Sequence, residues 1–204
     1  MSGRDDPDHR AGASASTPVP FDDPSGCGNE SNRLGRVEAV TIRAATDCAE
    51  ATAALGAAIA ELARPCDLIV LCGDLGAGKT TFTQGVGRGL GIDAQITSPT
   101  FTLVRSYTGR LDLFHLDVYR ITQLEEVAEL GLNELLDDDS VTLIEWGDQI
   151  SPALPQDYLE ISIELGENDD DRTFAFSVVG PTWTARMRAL RAALSPWLVL
   201  EGDH

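Results

Sequence analysis

Lysine is nearly absent from this chain of 204 residues: Lys79 is the only one, and every other basic side chain is arginine. Positive charge is scarce altogether, because 33 Asp and Glu residues outnumber 15 Lys and Arg residues and give a formal net charge of −18. A protein that holds nucleic acid through its phosphates needs a basic surface. We therefore expect no strong direct binding to nucleic acid.

Paired cysteines and long apolar runs are also missing. The four cysteines (Cys27, Cys48, Cys66 and Cys72) form no C-x-x-C pattern, and no histidine is spaced to complete a zinc site. No apolar run is long enough to span a membrane, and the first residues lack the hydrophobic region of a signal peptide. These absences predict reduced thiols, with Cys48 and Cys72 as small core residues, in a cytoplasmic protein without membrane association.

The composition divides the chain into two parts. Residues 1–36 are rich in Asp, Ser, Pro, Gly and Arg, so they cannot bury enough apolar surface to offset the entropy of ordering. We expect a disordered N-terminal extension there and a single folded domain over residues 37–204. Residues 133–171 of that domain contain acidic side chains but neither Lys nor Arg. This favours a solvated surface over a docking face for a basic partner.

The most informative stretch is Gly73-Asp74-Leu75-Gly76-Ala77-Gly78-Lys79-Thr80-Thr81, which fits the phosphate-binding pattern G-x-x-x-x-G-K-[ST] in full. The apolar run 68–72 before it is typical of a buried strand, and the residues from Thr80 onward are typical of a helix. A strand, a glycine-rich loop and a helix start together form a nest of backbone N–H groups for phosphate oxygens. The expected nucleotide ligands are Asp74, Gly76, Ala77, Gly78, Lys79, Thr80 and Thr81. In this arrangement Lys79 reaches the β- and γ-phosphates and the Thr80 hydroxyl holds Mg²⁺.

The scarcity of lysine bears on the choice of nucleotide. Guanine specificity in the common GTPases uses an N/T-K-x-D motif, which this chain cannot contain because Lys79 lies in the phosphate loop. ATP is therefore the expected nucleotide.

Two acidic residues at strand ends are candidates for the second magnesium contact that phosphate-loop enzymes need. Glu145 follows the mostly apolar run 141–144, which is the Walker-B arrangement, and Asp117 ends the run 113–116. An unpaired carboxylate buried beside a triphosphate is unfavourable, and a metal ion would relieve that penalty. Which of the two acids contacts the metal is left open.

Other polar residues carry weaker signals. The hydroxyls of Ser98 and Thr100 are candidates for a switch that senses the γ-phosphate, although a plain Ser-Pro turn fits the same residues. His115 is expected to be a core or sheet-surface histidine. The arginines of the last helix are expected to form a solvated face: Arg186, Arg188 and Arg191.

The pattern of apolar residues predicts a single α/β domain. Strands are expected near residues 37–43, 68–72, 111–117, 141–145, 158–165 and 172–179, and the segment 96–104 is expected to begin as a polar turn and become a strand. Helices are expected to begin near residues 47, 80 and 123, and a last helix is expected over 182–194. The segments 96–104 and 111–117 should pair as a hairpin. The predicted fold is a phosphate-loop sheet with a parallel core, added antiparallel strands and helices on both faces.

Several motifs taken together resemble the TsaE (YjeE) family. They are the phosphate loop Gly73–Thr81, the segment Ser98–Val104, the segment His115–Arg120, the pair Glu145-Trp146 and the "EE…GL" helix from Glu125 to Leu132. The resemblance covers about residues 37–150 and weakens beyond them. This combination is far more specific than the phosphate loop alone.

The resemblance implies a small bacterial ATPase of the cytoplasm. Members of that family are needed to form threonylcarbamoyladenosine beside the anticodon of ANN-decoding tRNAs, and they act on the TsaD–TsaB pair rather than making the modification themselves. By position, Thr80 and Glu145 would hold Mg²⁺, Lys79 would bind phosphates, and Asp117 with the turn 98–100 would serve hydrolysis and switching.

Two other classes of function use the same loop. A small-molecule or nucleoside kinase needs an acceptor pocket and usually a lid that carries arginine, for which the short hairpin leaves little room. A binding module would use ATP as a conformational signal without turnover.

Overall fold

The computed structural model describes residues 41–99, 102–121, 135–136 and 139–199. These residues belong to one compact unit of the chain, Glu38–His204. In chain order the elements are β1 (Thr41–Thr46), α1 (Ala49–Ala60), β2 (Asp67–Cys72), α2 (Lys79–Gly89), β3 (Val104–Tyr107), β4 (Asp112–Asp117), β5 (Ser140–Glu145), a 3-10 segment (Gly147–Ala153), β6 (Tyr158–Leu165), β7 (Arg172–Val179), α3 (Pro181–Thr184), α4 (Met187–Ala193) and a 3-10 turn (Ser195–Trp197).

The seven strands form one sheet in the order β1-β7-β6-β2-β5-β4-β3. The four central strands β6, β2, β5 and β4 run parallel to one another. Antiparallel pairs complete both sides, β1 with β7 and β7 with β6 on one side and β3 with β4 on the other. The predicted parallel core with added antiparallel strands, and the hairpin after the first core helix, are confirmed.

The central strand β2 is apolar along its length because both of its faces are covered. Successive side chains of a strand point to opposite faces, so Ile69 and Leu71 join the cluster under α1 and α2, whereas Leu68 and Val70 join the cluster on the other face. That second face is covered by the 3-10 segment and by Leu135–Leu136, which are helical. The expectation of helical elements on both faces is confirmed.

Glycines let α1 and α2 pack backbone against backbone. A Cβ on Gly85 would overlap the carbonyl oxygen of Ala53, and a Cβ on Gly89 would lie 2.7 Å from the carbonyl oxygen of Ala57. Glycine in a helix interior lowers stability by roughly 1 kcal/mol relative to alanine. Here that loss is offset by close contact between the two helices, which fixes where α2 begins relative to the sheet.

The segment 96–104 was expected to begin as a polar turn and become a strand, and its strand begins at Val104, after the chain turns through Leu103 at a φ of 63°. One sequence prediction about an element is wrong in detail. The helix expected from residue 182 to 194 is broken into α3 and α4 at Arg186. The reason is that the Arg186 side chain turns inward to a buried carboxylate, so its predicted place on a solvated face is wrong as well. Arg188 and Arg191 are exposed, as expected.

Some predictions concern residues outside those described. They are the disordered extension 1–36, the start of the domain at residue 37, Cys27, Thr100 and most of the helix from residue 123. Cys48, Cys66 and Cys72 are free thiols, but Cys48 and Cys72 are half-buried rather than full core residues. In the part of the chain that the structure describes, no helix is both long and apolar enough to cross a membrane.

Candidate active site

The phosphate loop leaves the carboxyl end of the central strand β2 and leads into α2. Open parallel sheets bind ligands at this edge, where the loops after several strands meet. Gly73 starts the loop with a φ of 134°, and a Cβ there would overlap the carbonyl oxygen of Ile163 on β6. Only glycine allows the chain to turn so close to the neighbouring strand.

The amino end of α2 begins directly at the loop. Gly78 occupies the position before the first helical residue with a φ of 103°, and no side chain caps the helix. The first N–H groups of a helix lack partners within the helix and carry the positive end of its dipole. Ala77 is buried, whereas Asp74 and Gly76 are exposed and Thr80 and Thr81 are half-buried. The residues predicted as nucleotide ligands therefore form one continuous turn around the helix start.

The Lys79 side chain is folded back over its own loop. Its Nζ donates hydrogen bonds to the carbonyl oxygens of Gly73 at 2.7 Å and Asp74 at 2.8 Å. The same Nζ lies 3.4 Å from the centre of the Trp146 ring, a cation–π contact. Burial lowers the pKa of Lys79, and the carboxylates of Glu145 and Asp117 oppose that shift. The ammonium group is therefore held at the phosphate loop by two backbone carbonyl oxygens and one aromatic ring.

Glu145 lies at the carboxyl end of β5, beside the start of α2. It is 2% exposed. Its Oε2 accepts a hydrogen bond from the Thr80 hydroxyl at 3.2 Å, and its Oε1 accepts one from the Thr83 hydroxyl at 3.3 Å. The two residues predicted to hold Mg²⁺, Thr80 and Glu145, are thus in direct contact. Thr83 was not predicted, although it lies one helical turn after Thr80 and shares its face.

His115 also belongs to the site, which the sequence analysis did not expect. Its side chain is fully buried on β4, and its Nε2 lies 2.9 Å from Glu145 Oε1. Its Nδ1 is buried and has no hydrogen-bond partner among the residues that the structure describes. A proton on Nδ1 would be left unpaired while the Nε2 lone pair faced the carboxylate, so the geometry favours the tautomer with hydrogen on Nε2. The signal available in the sequence was the alternation along β4, which puts His115 and Asp117 on one face.

Asp117 connects the site to the predicted switch turn. It ends β4 in register with Glu145, and it is 4% exposed. Its Oδ2 accepts a hydrogen bond from the Ser98 hydroxyl at 2.5 Å, and its Oδ1 accepts one from the Tyr119 backbone N–H at 3.1 Å. The structure therefore brings Ser98 and Asp117 together. A movement of the turn at Ser98 would therefore change the hydrogen bonding of the Asp117 carboxylate.

The Trp146 ring packs against Lys79 on one side and contacts the ring of Tyr119. Trp146 adopts the left-handed backbone conformation with a φ of 66°, and its backbone N–H donates a hydrogen bond to the carbonyl oxygen of Leu71 at 2.9 Å. Its ring lies 4.8 Å from that of Tyr119, centre to centre. A left-handed conformation is unfavourable for a bulky residue. Here it turns the indole ring away from the strand and over the ammonium group.

The residues present fit a magnesium ion better than a transition metal. The described residues contain no group of three or more His, Cys, Asp or Glu side chains arranged to hold a metal. Mg²⁺ prefers oxygen ligands and is usually bound by one or two carboxylates together with substrate phosphates rather than by a protein cage. The hydroxyl of Thr80 and the carboxylate of Glu145 supply oxygen atoms at the mouth of the phosphate loop. That donor set suits a metal that arrives with a nucleotide.

Comparisons with known proteins show the family of this chain. The profile of the family described as "Threonylcarbamoyl adenosine biosynthesis protein TsaE" matches residues 46–174, more than half of the chain. A Bacillus subtilis protein named tRNA threonylcarbamoyladenosine biosynthesis protein TsaE is 46% identical over 132 residues, which are 64% of this chain and 82% of that protein. A protein of the same name from Streptomyces coelicolor is 40% identical over 136 residues, 63% of this chain and 91% of that protein.

A solved structure gives the same answer for the fold. The crystal structure of Bacillus subtilis YdiB superposes with a TM-score of 0.65 at 38% sequence identity, over 78% of this chain and 96% of that chain. The region that matches the family profile, residues 46–174, includes the phosphate loop, Asp117 and Glu145. The chain therefore belongs to the TsaE family.

Proposed function

We propose that residues 37–204 form a Mg²⁺-dependent ATPase that serves the formation of N6-threonylcarbamoyladenosine in tRNA. The main observation in support of ATPase activity is the contact between Thr80 and Glu145 at the start of the helix that follows the phosphate loop. The Thr80 hydroxyl lies 3.2 Å from the Glu145 carboxylate. Lys79 lies on the same loop, with its Nζ on two carbonyl oxygens. These are the parts that phosphoryl transfer requires of the protein, namely positioning and charge stabilisation.

Each side chain has a separate task in the proposed reaction. Lys79 binds the β- and γ-phosphates, and the N–H groups at the start of α2 bind phosphate oxygens. Thr80 and Glu145 hold the ion, which when bound neutralises charge that develops on the phosphates. His115 keeps the Glu145 carboxylate oriented by donating to its Oε1, and the Thr83 hydroxyl, which donates to the Lys79 carbonyl oxygen at 2.9 Å, lies 3.3 Å from the same Oε1. Asp117 orients the attacking water, and its hydrogen bond from Ser98 links hydrolysis to the turn 98–100.

ATP is the proposed nucleotide. The only lysine of the chain is used by the phosphate loop, so the lysine of a guanine-binding N/T-K-x-D motif is missing.

The names of the relatives place those proteins in tRNA threonylcarbamoyladenosine biosynthesis, and the resemblance to the TsaE family implies the TsaD–TsaB pair as partners. We propose that this chain works in the cytoplasm on the TsaD–TsaB pair, which forms the modification next to the anticodon of ANN-decoding tRNAs. A net charge of −18 supports action on proteins rather than a grip on the tRNA itself.

ATP hydrolysis with and without the TsaD–TsaB pair tests the pathway assignment. We expect slow phosphate release by the purified chain and a changed rate when the pair is added, with the pair alone as the control. A rate of phosphate release that does not change when the TsaD–TsaB pair is added would contradict the pathway assignment. A phosphorylated small molecule, recovered from a metabolite mixture incubated with the chain and ATP, would indicate a kinase instead.

A further inference from the structure

Arg172 reaches from β7 to the outer side of the phosphate loop. It is the first residue of that strand and is half-buried. Its Nε donates a hydrogen bond to the carbonyl oxygen of Ala77 at 2.9 Å, and one Nη donates to the carbonyl oxygen of Gly76 at 3.3 Å. The Arg172 guanidinium therefore contacts two successive peptide groups of the loop.

The other side of the same guanidinium is fixed to the turn between β6 and β7. Its second Nη donates to the carbonyl oxygens of Asp169 and Asp171, both at 2.7 Å. The turn is itself braced, because the Asn168 amide donates to the Asp171 carboxylate at 2.6 Å. Arginine presents its N–H donors in a rigid planar fork. A fork held on one side by the turn sets the position of the loop peptides on the other side.

Two cations each bind a different pair of backbone carbonyl oxygens in the loop. Lys79 holds those of Gly73 and Asp74, and Arg172 holds those of Gly76 and Ala77. If Lys79 moves to the phosphates of a bound nucleotide, Arg172 remains as the cation on the loop backbone.

The orientation of a peptide group explains what this contact does. In a trans peptide the C=O and N–H bonds point in opposite directions. Because Arg172 binds the Ala77 carbonyl oxygen, the Gly78 N–H of the same peptide group points away from Arg172. A hydrogen bond from a charged donor to the carbonyl also polarises the peptide and strengthens its N–H as a donor.

We propose that Arg172 is a positioning residue of the phosphate loop, which aims the N–H group of Gly78 at the polyphosphate before a nucleotide binds. The proposal rests on the proposed ATP site and deepens it. Preorganised donors do not have to be ordered at the moment of binding. The residue lies about a hundred positions after the loop in the sequence, so no local motif reveals it.

The test compares Arg172→Lys with Arg172→Ala and with the control Arg110→Lys. Arg110 also donates to backbone carbonyls, those of Gly89 and Ala60, but at the far ends of α1 and α2. We expect the Kd for ATP, measured by calorimetry, to rise about 10-fold in both Arg172 variants and to stay unchanged in Arg110→Lys. Lysine keeps the charge but lacks the fork, so it should not rescue. Methylguanidinium should restore part of the affinity of Arg172→Ala.

Amide hydrogen exchange of the nucleotide-free proteins provides a second readout. We expect faster exchange in a peptide that spans residues 74–80 in Arg172→Lys, with the exchange of β2 and the melting temperature unchanged. Unchanged loop exchange in Arg172→Lys, or an equal effect in Arg110→Lys, would overturn the proposal. If the wild-type chain bound no ATP, the proposed function would fail, while the exchange comparison would still decide the role of Arg172.

Discussion

At the scale of single residues, Glu145 is the point at which three elements meet. It accepts hydrogen bonds from Thr80 and Thr83 of α2 and from His115 of β4. Its own position was predictable, because a carboxylate after an apolar strand is a local pattern. Thr83 and His115 were harder to assign, because their roles depend on which strand lies beside β5 and which helical turn faces it.

The substitution Glu145→Gln tests the proposed metal contact. Glutamine keeps the size of the side chain but replaces one carboxylate oxygen with an N–H donor, which repels a cation. We expect turnover at saturating Mg²⁺ to fall by about 10- to 100-fold, with ATP binding in the absence of Mg²⁺ little changed. The measurement is the rate of phosphate release over a Mg²⁺ titration, with the exposed Asp148→Asn as the control. A wild-type Mg²⁺ dependence in Glu145→Gln would remove Glu145 from the metal site.

At the scale of elements, the C-terminal helices are tied to the start of the central strand. Arg186 and Asp67 form a buried pair, with Nη1 to Oδ2 at 2.6 Å and Nη2 to Oδ1 at 2.5 Å. Arg186 also donates to the carbonyl oxygen of Leu62 at 2.9 Å and stacks on Trp183. This contact breaks the predicted helix in two. The sequence could not reveal it, because spacing along α4 says nothing about a carboxylate 119 residues earlier.

The substitution Arg186→Met tests this tie. Removing one partner leaves the Asp67 carboxylate buried without its cation, which typically destabilises a protein by about 3–5 kcal/mol. We expect a loss of that order in the free energy of unfolding measured with urea. The exposed Arg191→Met, in α4, should change it by less than about 0.5 kcal/mol. Equal stability of the two variants would mean that the buried pair contributes nothing.

At the scale of the whole molecule, the sheet explains why the site residues meet. The strands β2, β5 and β4 are parallel neighbours, so their carboxyl ends bring the phosphate loop, Glu145 and Asp117 to one edge. The parallel core and the hairpin were predictable from apolar runs and turn residues. The contact of Arg172 with the loop was not, because it depends on β7 folding back beside β6 and on β6 pairing with β2.

Phosphate release by the wild-type chain and by Lys79→Ala tests most directly whether the phosphate loop binds ATP for Mg²⁺-dependent hydrolysis. We predict Mg²⁺-dependent release by the wild type and a loss of about 100-fold or more in Lys79→Ala, because the variant lacks the cation that binds the phosphates. Circular dichroism would confirm that the variant is folded. Full turnover by folded Lys79→Ala, or no release by the wild type with or without the TsaD–TsaB pair, would contradict the account.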